Sequence, residues 1–325
     1  MPRLLDPRHL PKLVSFATAN VLVAFDFDGT LAPIVPRPSH ARMRARTRRL
    51  LDAVARRYPC VVLSGRALGD IAERLEGIPL WHIAGNHGIE PWEQTETIAR
   101  KVHAWVWQLR KRFAPYPGIV IEDKTYSVTV HYRRARTQRR ALATIKDALR
   151  HLPGALMMQG NCAVNLLPEG APHKGEALER LTRLLGCDAA IYVGDDGTDE
   201  PAFGATHPAR LLSIRIGTGQ RTRARYHLDH QRDIDKLLEV LATIRPVRED
   251  RPQLTGYRGR ASRLRQGSRA PRRSETKSGP PRRSDAKSGP PRRSDAKSGR
   301  VRPKSDAPRH PSRDRVRTRS GRRSF

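Results

Sequence analysis

The chain has 325 residues, with 63 Lys and Arg against 32 Asp and Glu and a formal net charge of +31. Residues 251–325 hold 25 Lys/Arg and 5 Asp/Glu, so +20 of that charge sits at the C-terminal end and +11 in the rest of the chain. Cys60, Cys162 and Cys187 are far apart and lack metal-ligand spacing, which excludes a disulfide scaffold and a zinc site, and no run of about 18 apolar residues is present to span a membrane. The N-terminal segment "MPRLLDPRHLPKLVSFATAN" has no continuous apolar signal core, so a cytoplasmic location is expected.

Taken in chain order, "VLVAF" (21–25) reads as a buried parallel strand that ends on "DFDGT". Leu50, Leu51, Val54 and Ala55 share one helical face after an Arg-rich start at 41–49. "CVVL" (60–63) is a second strand and runs into Ser64-Gly65-Arg66, with a helix at 68–77 carried by Ile71, Ala72 and Leu75. The segment 99–113 predicts a helix burying Val102, Trp105, Val106 and Leu109. Trp105 and Trp107 cannot share a helix face, so one is expected to pack and the other to meet a domain contact.

"GIVIED" and "YSVTVHY" alternate around Lys124-Thr125 as a hairpin does; a helix at 137–152 follows, then strands "ALMMQ" and "CAVNLL". Leu178, Leu181, Leu184 and Leu185 mark a helix that ends at Gly186. "AAIYV" (189–193) is a third buried strand and closes on "GDDGTDE"; a strand at 211–216 and a helix at 234–244 complete the pattern.

Strand–helix alternation predicts an α/β fold, a doubly wound, Rossmann-like parallel sheet. The helix–hairpin–helix–hairpin order in the middle predicts an inserted α+β module. The expected organisation is a core from 1–88 and 171–248, a module over 89–170, and a tail over 249–325. The tail repeats "PRRSETKSGP", "PRRSDAKSGP" and "PRRSDAKSGR" at 271–299; with no hydrophobic position in the period, disorder is expected. Its charge predicts non-specific contact with polyanions or nucleic acid, without an aromatic ladder for base stacking and without an apolar anchor for membranes. A monomer is expected for the folded part.

In doubly wound sheets ligands sit at the C-terminal ends of the strands. There this chain delivers Asp26 and Asp28 from one strand, Ser64-Gly65-Arg66 from the second, and Asp195, Asp196 and Asp199 from the third. Gly29 lets the chain turn so that Asp26 and Asp28 can bend toward one centre. Clustered carboxylates are hard oxygen ligands of the type Mg²⁺ prefers, and Lys174 in "PHKGEAL" is a cation able to offset their repulsion.

These residues carry a resemblance. "DFDGT", "LSGR", the lysine of "HKG" and "GDDGTDE" resemble the four ordered motifs of haloacid dehalogenase-like phosphatases, and the insertion resembles that family's α/β cap. "FDFDGTLAPIV" (25–35), "GNHGIE" (85–90), "EDKTYSVTVHYR" (122–133) and "YVGDDGTDEPAF" (192–203) look like sequence blocks of the trehalose-6-phosphate phosphatase family, over about residues 20–245. The resemblance implies Mg²⁺-dependent hydrolysis of trehalose 6-phosphate through an aspartyl-phosphate on Asp26. It implies Asp28 as acid and base, with Ser64 and Lys174 on the phosphoryl oxygens. The metal would be held by Asp26, Asp195 and the Asp28 carbonyl, with Asp199 orienting metal or water. Gly65, Arg66, Asn86, His87, Glu122, Lys124, His131 and Arg133 are the implied substrate contacts.

The chain departs from the family at "VNLLPEG" (164–170), where relatives carry an "E-[IV]-[RK]-P"-like stretch: Asn165 stands near the acidic place and Leu167 near the basic one. Another sugar or glycosyl phosphate is therefore an open alternative. A nucleic-acid-associated protein acting through its basic tail is a second.

Overall fold

The computed structural model describes residues 1–93, 95–218 and 221–247. In chain order the elements are α1 (Leu10–Thr18), β1 (Val21–Phe25), α2 (Ala45–Ala55), β2 (Cys60–Leu63), α3 (Leu68–Arg74), β3 (His82–Ala84), α4 (Glu96–Phe113), β4 (Val120–Asp123), β5 (Val128–His131), α5 (Gln138–Leu149), β6 (Ala155–Gly160), β7 (Ala163–Pro168), α6 (Lys174–Leu184), β8 (Ala189–Gly194), α7 (Glu200–Phe203), β9 (Leu211–Ile216), β10 (Tyr226–Leu228) and α8 (Ile234–Ile244).

Six strands form a parallel sheet in the order β10-β9-β8-β1-β2-β3. Every residue of β1 is fully buried, because helices cover both faces of the sheet. Val21, Val23 and Phe25 pack with Leu13 of α1, Leu51 of α2 and Leu237 of α8. Leu22 and Ala24 pack on the other side with Leu178 and Leu181 of α6 and with Phe203. Burying one such side chain contributes about 1.5–3 kcal/mol, so the centre of this sheet is the rigid base for whatever its strand ends carry.

Between β3 and α6 the chain builds a second, antiparallel sheet, ordered β4-β5-β7-β6. Alternate residues divide its two faces. Val128, Val130, Val164 and Leu166 pack under Val102, Trp105, Leu109, Ile145 and Leu149 of α4 and α5. Thr129, His131, Asn165 and Leu167 occupy the opposite face by the same alternation.

Four elements were not anticipated, the four-residue α7 among them. β3 and β10 have three residues each and form the two edges of the parallel sheet, too short to carry a periodic signal. α1 brings Leu13, Phe16 and Ala17 into the core. α4 begins three residues before the expected start, at Glu96, because the Thr95 side chain accepts a hydrogen bond from the Ile98 amide at 3.2 Å and caps the helix. Trp105 is buried, whereas Trp107 is 64% exposed with the Lys111 ammonium over its ring, so the expected domain contact of the second tryptophan is not formed. All three cysteines are free thiols, Cys162 being only half-buried. Among the described residues no helix is long and apolar enough to cross a membrane. The tail at 249–325 and its repeats lie outside the described residues.

Candidate active site

β1 and β8 lie side by side, yet the chain continues from them to opposite edges of the sheet, so a crevice opens at their C-terminal ends. Asp26 follows β1 and Asp195 follows β8. Gly29 has a φ of 87°, and a Cβ there would lie 2.1 Å from an Asp195 carboxylate oxygen. Glycine at 29 thus both turns the chain and lets the second acidic cluster approach the first.

Lys174, the first residue of α6, is 1% exposed. Its Nζ donates to Asp26 Oδ1 at 2.7 Å and to Asp199 Oδ1 at 2.6 Å. Asp199 is saturated: Oδ1 also accepts from the Tyr192 hydroxyl at 2.7 Å, while Oδ2 accepts from the amides of Asp195 and Asp196 at 2.9 and 3.1 Å. By contrast Asp26 Oδ2 and both Asp195 carboxylate oxygens accept no hydrogen bond among the described residues. Asp196 caps the short turn Gly197–Asp199, accepting from the Thr198 amide at 2.8 Å and its hydroxyl at 2.7 Å.

The electrostatics follow from this crowding. Burial lifts the Asp26 carboxyl well above the usual range; Lys174 pulls it back down, and Asp199 and Asp28 push it up. Burial does the same to Asp195, reinforced by Asp196, Asp26 and Asp199. For Lys174 burial opposes the charge, but Asp199 and Asp26 outweigh it and hold the ammonium above its ordinary value.

Ser64, fully buried at the end of β2, accepts at Oγ from the Arg66 amide at 3.2 Å. The amides of Phe27, Asp28 and Gly65 donate to no acceptor among the described residues, which leaves three donors at the crevice. Arg66 spends four of its five N–H donors on protein acceptors. Nε and Nη2 grip the two Asp28 oxygens, each at 2.7 Å; Nη1 bonds Asp70 Oδ2 at 2.7 Å, and Nη2 also bonds the Pro38 carbonyl at 2.8 Å. The Asp28 carboxylate is accordingly not among the Asp26, Asp195 and Asp199 oxygens that gather within 4.8 Å of one another.

The four-stranded module touches both banks of the crevice. On one side Lys124 Nζ donates to the Gly65 carbonyl at 2.8 Å; Asn86 Nδ2 donates to the Lys124 carbonyl at 3.1 Å and to Glu90 Oε2 at 2.7 Å, while Asn86 Oδ1 accepts from the Ser127 hydroxyl at 2.5 Å. On the other side the end of β6 meets the Gly197 loop so closely that a Cβ on Gly197 would lie 2.6 Å from the Gln159 carbonyl oxygen. Across the module, strand register aligns Glu122, Thr129, Asn165 and Met158 in one transverse row. Glu122 accepts from or shares a proton with His131 Nε2 at 2.7 Å and faces Lys124 at 3.8 Å, and the Thr129 hydroxyl donates to Asn165 Oδ1 at 2.8 Å. Burial alone would raise the Glu122 carboxyl, but His131 and Lys124 bring it down to about 2.

His87 is 2% exposed, and neither ring nitrogen has a hydrogen-bond partner. Arg133 is the one expected contact turned elsewhere: its Nη2 bonds the Asn161 carbonyl and side-chain oxygens, both at 3.1 Å. It lies past the end of β5, in the turn that follows His131, whereas the Gly65 contact is made from the hairpin tip at Lys124 before the start of β5. Leu167, at the place where a basic residue was sought, is fully buried. Tyr192, Glu90, Ser127 and Thr129 were not singled out from sequence. Ser127 and Thr129 act by hydrogen bonds to Asn86 and Asn165, which are far from them in the chain and which no linear spacing announces, whereas Glu90 and Tyr192 bond Asn86 and Asp199 within the same stretches of sequence.

A family model for trehalose-phosphatase matches residues 24–232, well over half of the chain. The chain belongs to the trehalose-phosphatase family. It is 35% identical over 210 residues to a trehalose-phosphate phosphatase of Mycolicibacterium paratuberculosis, covering 60% of this chain and 53% of that protein. It is 33% identical over 248 residues to one of Mycobacterium tuberculosis, covering 70% and 62%. The chain thus spans roughly half to three fifths of the length of these curated relatives. Among solved structures, the C-terminal domain of a Candida albicans trehalose-6-phosphate phosphatase aligns over 75% of this chain and 99% of that one, with a TM-score of 0.63 at 22% identity. A trehalose-6-phosphate phosphatase related protein aligns over 69% and 97%, with a TM-score of 0.56 at 25% identity. The fold is that of the haloacid dehalogenase-like superfamily, a parallel sheet flanked by helices.

Trehalose-phosphatases of this superfamily work with Mg²⁺, and the residues here fit a small hard cation. Asp26 and Asp195 bring buried carboxylates together against their mutual repulsion, with oxygens that no protein donor satisfies. Asp199 belongs to the same cluster by distance, but its four acceptor directions are filled, so its work is to fix Lys174, Tyr192 and the amides after β8.

Proposed function

We infer that this chain is a Mg²⁺-dependent phosphatase that hydrolyses trehalose 6-phosphate to trehalose and phosphate. One observation carries the reading: an Asp26 oxygen without a donor, fixed between the Lys174 ammonium and the Asp195 carboxylate and beside three free amides. The names of the mycobacterial relatives support the substrate.

Asp26 Oδ2 attacks phosphorus as the bond to the sugar oxygen breaks opposite it, giving an aspartyl-phosphate. Lys174 and the amides of Phe27, Asp28 and Gly65 receive the phosphoryl oxygens, aided by the Ser64 hydroxyl. Asp28 gives a proton to the leaving sugar oxygen; water then attacks the aspartyl-phosphate, Asp28 takes its proton, and phosphate leaves with Asp26 restored. Both Asp28 oxygens are in the Arg66 fork, so proton delivery requires Asp28 to rotate out of it. Asp26, Asp195 and the Asp28 carbonyl would hold Mg²⁺, which supplies positive charge against the phosphate. The four-stranded module acts as a cap that excludes water and selects the sugar. It and the flanking core correspond to residues 89–170 and to 1–88 with 171–248.

A second reading, a phosphatase of another glycosyl phosphate, is favoured by Asn165 engaged with Thr129 and by the burial of Leu167, which leave that part of the pocket without charge. The test is phosphate release from trehalose 6-phosphate, glucose 6-phosphate, sucrose 6-phosphate and a glucosylglycerol phosphate, with Mg²⁺ and with EDTA. Strong preference for trehalose 6-phosphate, abolished by EDTA, is expected. Preference for another ester selects the second reading, and no release from any ester rejects both.

A further inference from the structure

At the end of the parallel sheet away from the crevice, the chain forms a second hollow of about 280 Å³. Its walls come from α1, from the loop before β9, and from the starts of β9 and β10. Leu211 and Leu212, both buried, form its apolar floor with the half-buried Tyr226. Lys12, His207 and Arg225 stand exposed around that floor. Among the described residues no carboxylate lines the hollow or pairs with any of the three. Exposed arginines elsewhere on the core, such as Arg8 and Arg56, do meet carboxylates. The strand register sets this hollow apart from the crevice. Leu211 lies beside Ala190 of β8, and Asp195 comes five residues further along, roughly 16 Å away at the usual rise per residue.

Each cationic side chain is held by its own contacts. The Lys12 ammonium sits 5.0 Å from the centroid of the Phe16 ring, a cation–π contact within α1. His207 Nδ1 accepts from the Ala209 amide at 3.2 Å, so Nε2 carries a proton in either charge state and is the ring's donor. The Arg225 amide donates to the Ser213 carbonyl and to its hydroxyl, both at 3.2 Å, which fixes Arg225 at the start of β10. Nitrogen donors from three separate segments, with no negative charge among them, suit an anion that offers several oxygens. A carboxylate offers two, whereas a phosphate offers at least three and carries a charge of about −1.5 to −2 at neutral pH. The volume falls just below the roughly 300–1,000 Å³ of drug-sized sites, which leaves room for a phosphate with a small substituent.

We propose that this hollow is a second anion site, separate from the crevice, which binds inorganic phosphate or a small phosphate monoester through Lys12, His207 and Arg225. A ligand here touches neither Asp26 nor Lys174, so the site is independent of the phosphatase reading. The apolar floor gives the carbon part of an ester a surface to lie on, which the bare ion does not use.

The full chain, with EDTA present to prevent turnover, is titrated with inorganic phosphate, glucose 6-phosphate or glucose at an ionic strength held constant with sodium chloride. The amide NMR signals of Ala209, Leu212 and Tyr226 report this hollow, and that of Gly65 reports the crevice. Saturable shifts of the first three are expected with both phosphates and not with glucose. In the Lys12→Ala/Arg225→Ala variant the affinity read at those amides should fall roughly 10-fold or more, while that read at Gly65 stays within about twofold. The charge-preserving Lys12→Arg/Arg225→Lys variant should bind within about threefold of the parent. Both variants should keep the parent's thermal midpoint, since the replaced side chains are exposed. Tighter binding of glucose 6-phosphate bears the proposal out with an ester as ligand, and equal affinities bear it out with the ion itself. No saturable shift at Ala209, Leu212 and Tyr226, equal shifts with glucose, or an unchanged affinity in the double alanine variant would each overturn it.

Discussion

The rim of the parallel sheet and the crevice-facing side of the antiparallel module are both polar, but they are built in opposite ways. At the rim, full charges face one another: Lys174 is buried between Asp26 and Asp199, and Arg66, itself buried, grips Asp28 and Asp70, whose carboxylates are each 40% exposed. On the module the pairs are lighter, a hydroxyl to an amide at Thr129–Asn165 and a half-exposed carboxylate to an imidazole at Glu122–His131. Buried charges are costly unless fixed in one geometry, which suits the alignment and charge neutralisation that phosphoryl transfer needs. Neutral or half-solvated pairs are cheap to rearrange, which suits recognition of a hydroxylated group. Substitutions at the rim should therefore remove turnover or stability, and those on the module should move KM.

The largest effect is expected at Asp26. Asp26→Asn keeps the side-chain shape and leaves Lys174 its bond to Asp199, so folding persists while the proposed nucleophile is gone. Turnover at saturating substrate should fall by roughly 10⁴-fold or more. A variant within tenfold of the parent would reject Asp26 as nucleophile. Next comes Lys174→Met, which strands two buried carboxylates. Removing one partner of a buried ion pair costs about 3–5 kcal/mol, measured as a shift in the denaturant midpoint. An unshifted midpoint would mean that Asp26 and Asp199 do not depend on this cation.

On the module, Glu122→Gln retains a hydrogen-bonding group for His131 but loses the charge that faces Lys124. Since a charge-assisted hydrogen bond is worth about 1.5–3 kcal/mol, KM for the sugar phosphate should rise by roughly 10-fold or more, with kcat on p-nitrophenyl phosphate unchanged. A fall in kcat on both esters would erase the distinction between rim and module.

The same contrast governs how much was legible in the sequence. The core strands could be read because strands buried on both faces must be apolar throughout, as "VLVAF" and "CVVL" are, and because a strand end is the one place where a run of that kind meets Asp26 or Asp195. The module's strands could be read from alternation. What alternation could not give is the partner: that Thr129 meets Asn165, or that Ser127 reaches Asn86, depends on register and on how two sheets approach, which are properties of the folded chain. Nor could spacing say that Asp199 is saturated by Tyr192 and two amides, or that Arg66 spends its donors on Asp28, Asp70 and Pro38. β3 and β10 escaped for a simpler reason, three residues being too few to establish a period.

The smallest effect is expected at Arg133, and it separates motif from geometry. Arg133 ends the block "EDKTYSVTVHYR", whose Glu122, Lys124 and His131 share the crevice-facing side of the module. Spacing alone ranks it with them. Yet its guanidinium is half-exposed and bonded to Asn161, at the turn joining β6 and β7. A solvent-exposed bond of this kind contributes about 0–1 kcal/mol, because the side chain gives up rotamer freedom to form it and water competes for both partners. Arg133→Ala should leave kcat and KM for the sugar phosphate within about twofold and the thermal midpoint nearly in place. A rise in KM comparable to that of Glu122→Gln would mean that substrate binding draws the end of β5 into the crevice, and that the module's recognition surface extends beyond the row from Glu122 to Met158.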